Sequence, residues 1–152
     1  PRIGGMQNVM ASISERLASI EDTHVFPDHF LSKKFNYSNS QLQIHNNFSP
    51  KLLRPFIKKY LIDKVCKDND VVICDSWKSI NAVPSKIKKI FVLAHGQEFL
   101  STNKKYDLIK NSLDRASCII CSSRFTKNLI KEYKITDTPK IVIPPTYSVG
   151  VP

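Results

Sequence analysis

Four polar clusters stand directly behind short apolar runs: Asp75-Ser76-Trp77, His95-Gly96-Gln97-Glu98, Ser122-Ser123-Arg124 and Pro144-Pro145-Thr146. If the runs are strands of an open parallel sheet, these clusters sit beyond the strand carboxyl ends, where such sheets bind their ligands. His95 lies between a buried run and a glycine, at the rim of such a site. Its imidazole could hydrogen-bond a sugar hydroxyl or steady a developing charge. A histidine satisfied by a neighbouring backbone carbonyl is the simpler alternative. The carboxylates of Asp75 and Glu98 could act as a general base toward a hydroxyl, or serve only as loop hydrogen-bonding groups. Ser123 is well placed as a helix N-cap, with Arg124 following. Gly4-Gly5 precedes a helical pattern, and a helix N-terminus with glycines lets a phosphate approach unpaired backbone N–H groups; a tight turn is the plain alternative. His24, His29 and His45 lack comparable context and read as surface or packing residues.

The elements that must position these groups follow from hydrophobic patterning. Val71-Val72-Ile73-Cys74, Ile90-Phe91-Val92-Leu93-Ala94, Cys118-Ile119-Ile120-Cys121 and Ile141-Val142-Ile143 alternate with helical patterns, the signature of βαβ units. Their apolar residues are consecutive, so both faces of each strand are expected to be covered by helices in a doubly wound, mostly parallel α/β sheet of Rossmann-like form. Tyr106, Ile109, Leu113 and Ala116 fall on one helical face, and Phe125, Leu129, Ile130 and Tyr133 on another. A shorter helix over residues 76 to about 83, carrying Trp77 and Ile80, is expected to stop before Pro84.

The first half is less regular. Met6, Val9, Met10, Ile13 and Leu17 predict an amphipathic helix, and His24-Val25-Phe26 a strand. Leu52, Leu53, Phe56, Ile57, Tyr60, Leu61 and Val65 form a second helical stripe after Ser49-Pro50, with Pro55 expected to kink or restart the helix. Residues 36–47 are polar and predict a loop around a short strand at 42–44. A doubly wound domain normally opens on a strand, whereas this chain opens on the loop after one. The first strand is therefore expected to be missing, leaving a gap near the middle of the sheet.

Composition limits the function classes. A chain of 152 residues with 41% hydrophobic and 24% charged content can bury a sizeable core. The apolar runs are too short to span a bilayer and no leader pattern opens the chain, so a cytoplasmic protein is expected. Cys118 and Cys121 have the spacing of half a zinc site, but no second pair completes it; reduced, buried thiols are expected and no metal is assigned. The net charge of +10 calls for an anionic partner. Lys51, Arg54, Lys58, Lys59 and Lys64 surround the second helical stripe. They form either a solvated face or a surface for docking on an anionic membrane, on its inner face.

The succession Pro1-Arg2-Ile3-Gly4-Gly5-Met6-Gln7, Asp70-Val71-Val72-Ile73-Cys74-Asp75-Ser76-Trp77, Val92-Leu93-Ala94-His95-Gly96-Gln97-Glu98, Ala116-Ser117-Cys118-Ile119-Ile120-Cys121-Ser122-Ser123-Arg124-Phe125-Thr126 and Lys140-Ile141-Val142-Ile143-Pro144 resembles the N-terminal domain of the GT-B "glycosyltransferase group 1" proteins, the family-4 class of retaining glycosyltransferases. The resemblance spans nearly the whole chain and rests on order and spacing rather than on one motif. It implies that residues 1–152 form the acceptor-side domain of a GT-B enzyme that moves a sugar from a nucleotide diphosphate to a polysaccharide, lipid-linked or protein hydroxyl. It implies Gly4 and Gly5 near the donor diphosphate, His95 facing the donor sugar, and Ser123 and Arg124 bordering the cleft. Asp75, Gly96 and Glu98 would lie on the acceptor or cleft side. The sugar nucleotide is then a substrate, and neither a metal nor a redox cofactor is implied. Where the family runs proline-asparagine-glycine into its second domain, this chain reads Pro144-Pro145-Thr146. The C-terminal nucleotide-binding domain with its paired glutamates is absent, so this half alone is expected to be inactive. Two rivals remain: a basic nucleic-acid-binding domain, which lacks any helix-turn-helix, RNP or zinc pattern, and half of a GT-B sugar-nucleotide epimerase.

Overall fold

The computed structural model describes residues 5–28, 41–100 and 105–144. The chain is α/β, and its described strands are all parallel and divided between two sheets. It forms two compact units, Pro1–Cys66 and Lys67–Pro152.

In the first unit, α1 (Gly5–Leu17) leads to β1 (Thr23–Val25), which pairs in parallel with β2 (Leu42–Ile44); α2 (Arg54–Val65) follows. Val9, Met10, Ile13 and Leu17 are half-buried on α1, and Ser14 is buried there with its hydroxyl satisfied by donating to the Met10 carbonyl at 2.8 Å. Residues 36–40 of the expected polar loop lie outside the described residues, and the strand expected at 42–44 is present.

Helix α2 begins later than Ser49-Pro50 suggested. Asn47 accepts from the Ser49 N–H at 3.0 Å, and both Leu53 and Arg54 donate their N–H groups to the Pro50 carbonyl. These bonds make a turn, and the helix starts beyond it. Pro55 then falls in the first helical turn, where a missing N–H removes no intrahelical bond, so it starts the helix rather than kinking it. The apolar stripe is split: Ile62 is buried and Ile57, Leu61 and Val65 half-buried, while Leu52, Leu53, Phe56 and Tyr60 are exposed.

The second unit carries β3 (Val71–Cys74), β4 (Lys89–Ala94), β5 (Cys118–Cys121) and β6 (Lys140–Val142), lying side by side in chain order. Helix α3 (Tyr106–Leu113) connects β4 to β5, and α4 (Arg124–Glu132) connects β5 to β6. Sequential order moves every crossover in one direction, and right-handed crossovers then fall on one face. Burial follows that rule. Cys74, Ile90, Val92, Ala94, Ile119 and Cys121 share one face by their register and are buried. On the other face Leu93 is buried, Ile73, Phe91, Cys118 and Ile120 are half-buried, and Val71, Lys89 and Ile141 are exposed. Two covered faces were expected from the apolar runs; this sheet has one covered face and one that is partly open. Cys118 and Cys121 lie on opposite faces, so their thiols do not converge on a common point. All four cysteines are free.

Helix α3 buries the expected Ile109 and Leu113. On α4 the buried set is Thr126, Leu129 and Ile130, and the expected Phe125 and Tyr133 are exposed. The helix expected over residues 76 to about 83 is a 3₁₀ turn, Ser79–Ala82. Val83 is extended ahead of Pro84, which leaves too few residues for i→i−4 bonds; Ser79, Asn81 and Val83 bond three residues back instead. Trp77 and Ile80 are buried there as expected.

The 3₁₀ turn is held from outside by Arg115, whose guanidinium donates to the carbonyls of Ile80 at 3.1 Å and Val83 at 2.8 Å. Arg115→Ala leaves those carbonyls without this donor and is expected to destabilise the protein by about 1–2 kcal/mol in urea unfolding, with Arg115→Lys recovering only part of the loss. No loss in Arg115→Ala would show that the turn is held by its buried side chains alone.

Candidate functional site

The described polar cluster of the second unit forms at the carboxyl ends of β3, β4 and β5. Cys74 pairs with Val92 and Ala94 with Cys121. These registers bring Asp75, His95 and Ser122 to one edge of the sheet, and Ser122 closes the edge by donating its N–H to the Ala94 carbonyl at 2.9 Å.

Asp75 accepts hydrogen bonds from the Ser79 and Ser76 hydroxyls through Oδ1. One of its oxygens thus organises the 3₁₀ turn that follows, the loop role foreseen as its simpler alternative, while its charge still reaches His95 and Glu98.

Gly96 makes the sharp turn after β4. Its φ of +91° is a conformation that favours glycine, and a Cβ there would lie 2.9 Å from the Thr126 hydroxyl oxygen. The turn feeds a short 3₁₀ segment, Gln97–Phe99, anchored by the buried Phe99. Glu98 consequently folds back and accepts from the His95 N–H at 3.4 Å, a long bond. The Nε2 atom of His95 is buried and has no hydrogen-bond partner among the described residues. A buried polar atom in that state carries a cost that a ligand hydroxyl could remove.

Ser123 is the N-cap of α4, accepting from the Thr126 N–H at 3.1 Å, with its hydroxyl also 3.1 Å from the Thr126 hydroxyl. The cap function foreseen for it therefore holds. Through Thr126, it joins the start of α4 to Gly96. Arg124 is exposed at the head of the helix, and its side chain makes no hydrogen bond or ion pair among the described residues. Lys78 sits over the Trp77 ring at 5.6 Å and adds positive charge near Glu98.

Burial sets the protonation of the cluster. It lowers the His95 pKa, against the opposing pull of the Asp75 charge, so the ring is neutral at neutral pH. Burial pushes Glu98 up to about 7; the Asp75 charge adds to the rise, while the His95 N–H and Lys78 oppose it. A neutral imidazole and a carboxyl that exchanges its proton near neutral pH can together orient a hydroxyl and take or return its proton.

Asp75, His95, Gly96, Glu98 and Ser123 are thus brought together, with Arg124 beside them. Gly5 opens α1 in the first unit; Gly4, His29, Pro145 and Thr146 lie outside the described residues. His24 and His45 do pack: their rings share a 2.9 Å N···N hydrogen bond, and His45 stacks on Phe26. Thr126, Lys78 and Ser79 were not anticipated. Ser79 had a local signal, a hydroxyl one turn beyond Asp75, but the approach of Thr126 to Gly96 leaves no trace in linear order.

Fold and cluster define an α/β protein of parallel sheets with a partly buried, titratable polar site at the strand ends. The chain matches no protein-family model, no curated protein and no solved structure.

Because the folded chain holds the Glu98 proton between its ordinary value of 4.5 and about 7, this carboxyl makes folding progressively less favourable as pH rises through that window, and the penalty is constant above it. Glu98→Gln is accordingly expected to exceed the wild type in stability by about 1–3 kcal/mol near pH 8 and to match it near pH 4, by urea unfolding at each pH. An equal difference at both pH values would mean that folding leaves the Glu98 pKa at its ordinary value.

Proposed function

We propose that this chain is the acceptor-side half of a sugar-nucleotide-dependent, retaining glycosyltransferase, with the finer fold assignment of a Rossmann-like domain forming one half of a GT-B architecture. The observation that carries this is the convergence of His95, Glu98 and Asp75 at the carboxyl ends of adjacent parallel strands, with the buried Nε2 of His95 lacking a partner among the described residues. The order and spacing of the strand-end motifs, which resemble the group 1 glycosyltransferases, supply the substrate class.

In the proposed reaction the bond from the anomeric carbon to the diphosphate oxygen breaks, a bond from that carbon to the acceptor oxygen forms on the same face, and the acceptor hydroxyl loses its proton. The neutral His95 ring would hydrogen-bond the transferred sugar, and Glu98 lies among the groups able to receive the proton. Arg124, whose side chain is uncommitted among the described residues, is suited to the charge of the departing diphosphate. The protein's contribution is positioning and charge stabilisation. The nucleotide would be held by a C-terminal domain, and the acceptor is a polysaccharide, lipid-linked or protein hydroxyl in the cytoplasm.

The test is calorimetric binding and donor hydrolysis over a panel of sugar nucleotides, with the full-length protein, this chain and full-length His95→Ala. The expected pattern is that the full-length protein binds and slowly hydrolyses one donor, that this chain does neither, and that His95→Ala keeps most of the binding while losing on the order of 100-fold in turnover. A full-length protein indifferent to every donor would sink the transferase assignment, and full turnover in His95→Ala would remove this histidine from the chemistry.

A further inference from the structure

Five of the thirteen exposed large apolar side chains among the described residues fall within one short stretch: Phe48 at 79% exposure, Leu52 at 87%, Leu53 at 52%, Phe56 at 72% and Tyr60 at 64%. The other eight are scattered along the remainder of the described chain. Phe56 and Tyr60 are one turn apart on α2, so their side chains share a face, and Leu52 lies in the turn leading into it. Burial on α2 is confined to the opposite side, around Ile62.

The charges around this stretch are one-sided. Residues 48–64 hold five basic residues, Lys51, Arg54, Lys58, Lys59 and Lys64, against one acid, Asp63. The structure separates the five by role. Lys58 is paired with Asp28 at 2.7 Å, and Arg54 donates to the Ser49 carbonyl at 3.0 Å and the Asp28 carbonyl at 3.2 Å. Lys51, Lys59 and Lys64 are exposed, and their side chains make no hydrogen bond or ion pair among the described residues. They border the apolar side chains, Lys59 one position from Tyr60 and Lys64 one turn beyond it.

An apolar edge alone would suit several occupants, and the lysine rim selects among them. A second copy of the same face would oppose lysine to lysine, on a chain that already carries +10. Nucleic acid would answer the lysines but would leave Leu52 and Phe56 in water. A bilayer containing acidic lipids answers both, with phosphates for the ammonium groups and an acyl boundary for the apolar side chains. Helix α2 has 12 residues, about 18 Å of helix, and so can lie along such a surface but cannot cross it. No helix among the described residues is long and apolar enough to cross a membrane.

We propose that this edge of α2 and the turn before it docks on an anionic lipid bilayer, Leu52, Phe56 and Tyr60 entering the headgroup boundary and Lys51, Lys59 and Lys64 resting on lipid phosphates. Docking does not depend on the glycosyl-transfer assignment. It differs from the expectation drawn from sequence in which cations take part: Lys59 and Lys64 act with Lys51, while Arg54 and Lys58 brace the turn.

The test is co-sedimentation of the full chain with phosphatidylcholine vesicles, with and without phosphatidylglycerol. Binding is expected only to the vesicles with phosphatidylglycerol, and it weakens as salt is raised. Leu52→Ser/Phe56→Ser and Lys59→Glu/Lys64→Glu each reduce it on the order of tenfold or more, with thermal melts unchanged because these side chains are exposed. Phe56→Trp provides a second readout, since its emission shifts to the blue on anionic vesicles if the side chain enters the bilayer. Equal binding to neutral vesicles, no binding to either kind, or binding indifferent to both double variants would overturn the proposal. So would a concentration-dependent dimer abolished by Leu52→Ser/Phe56→Ser, which would assign the face to a second copy.

Discussion

Parallel pairing of β4 with a neighbour on each side is the constraint on which the second unit depends. Parallel strands all end at the same edge, so whatever residues follow them are gathered there without any further device. The register decides the finer spacing. With Cys74 opposite Val92 and Ala94 opposite Cys121, Asp75 is level with Leu93 and Ser122 with His95. The chain then needs only one sharp turn, at Gly96, to fold Glu98 back over the end of β4. That turn tolerates no Cβ, because backbone conformation and the Thr126 hydroxyl both exclude one.

Burial and polarity work against each other at this edge. Removing His95 and Glu98 from water disfavours their charged forms, so both tend toward neutrality, although they stand beside an aspartate and a lysine. The surrounding bonds are mostly committed to structure: Asp75 to Ser79, Ser123 to Thr126, and Arg115 to the carbonyls of Ile80 and Val83. A rigid frame therefore surrounds a few groups whose hydrogen-bonding capacity is not used up, the Nε2 of His95 foremost. That combination suits a binding site, since a preorganised frame loses little freedom when a ligand supplies the missing bond.

The first unit is built differently. Among its described residues the sheet has two short strands and the buried side chains are Ala18, Ile62, Ser14 and Asn47. Polar bonds tie its described segments together, with His24 bonded to His45 and the Asn47 side chain both accepting from Ser49 and donating to the Arg54 carbonyl. Such bonds direct where α2 starts, and so which of its apolar residues face inward. A helix whose position is set this way can leave Phe56 and Tyr60 outside even though their spacing alone would have joined them to the inner stripe.

Strand and helix existence was legible in the residues because it is local: apolar runs rich in valine and isoleucine at 71–74, 90–94 and 118–121 favour extended backbone, and Ile109 and Leu113 recur at helical period. The location of the candidate site followed from the same locality, since residues immediately after a strand must emerge at its end. Face coverage did not follow, because a consecutive apolar run looks the same whether one face or two are covered; only the strand order β3-β4-β5-β6 decided that. Nor did the choice of Thr126 over Phe125 as the buried residue of α4, the 3₁₀ form of residues 79–82, or the division of the α2 stripe. Each of these depends on what another segment brings within a few ångströms. Sequence by itself determined which elements form and which polar residues end them, because those are properties of neighbours along the chain. Tertiary structure alone decided which faces are dry, which hydroxyl meets Gly96 and which carboxyl keeps its proton, because burial is a property of neighbours in space.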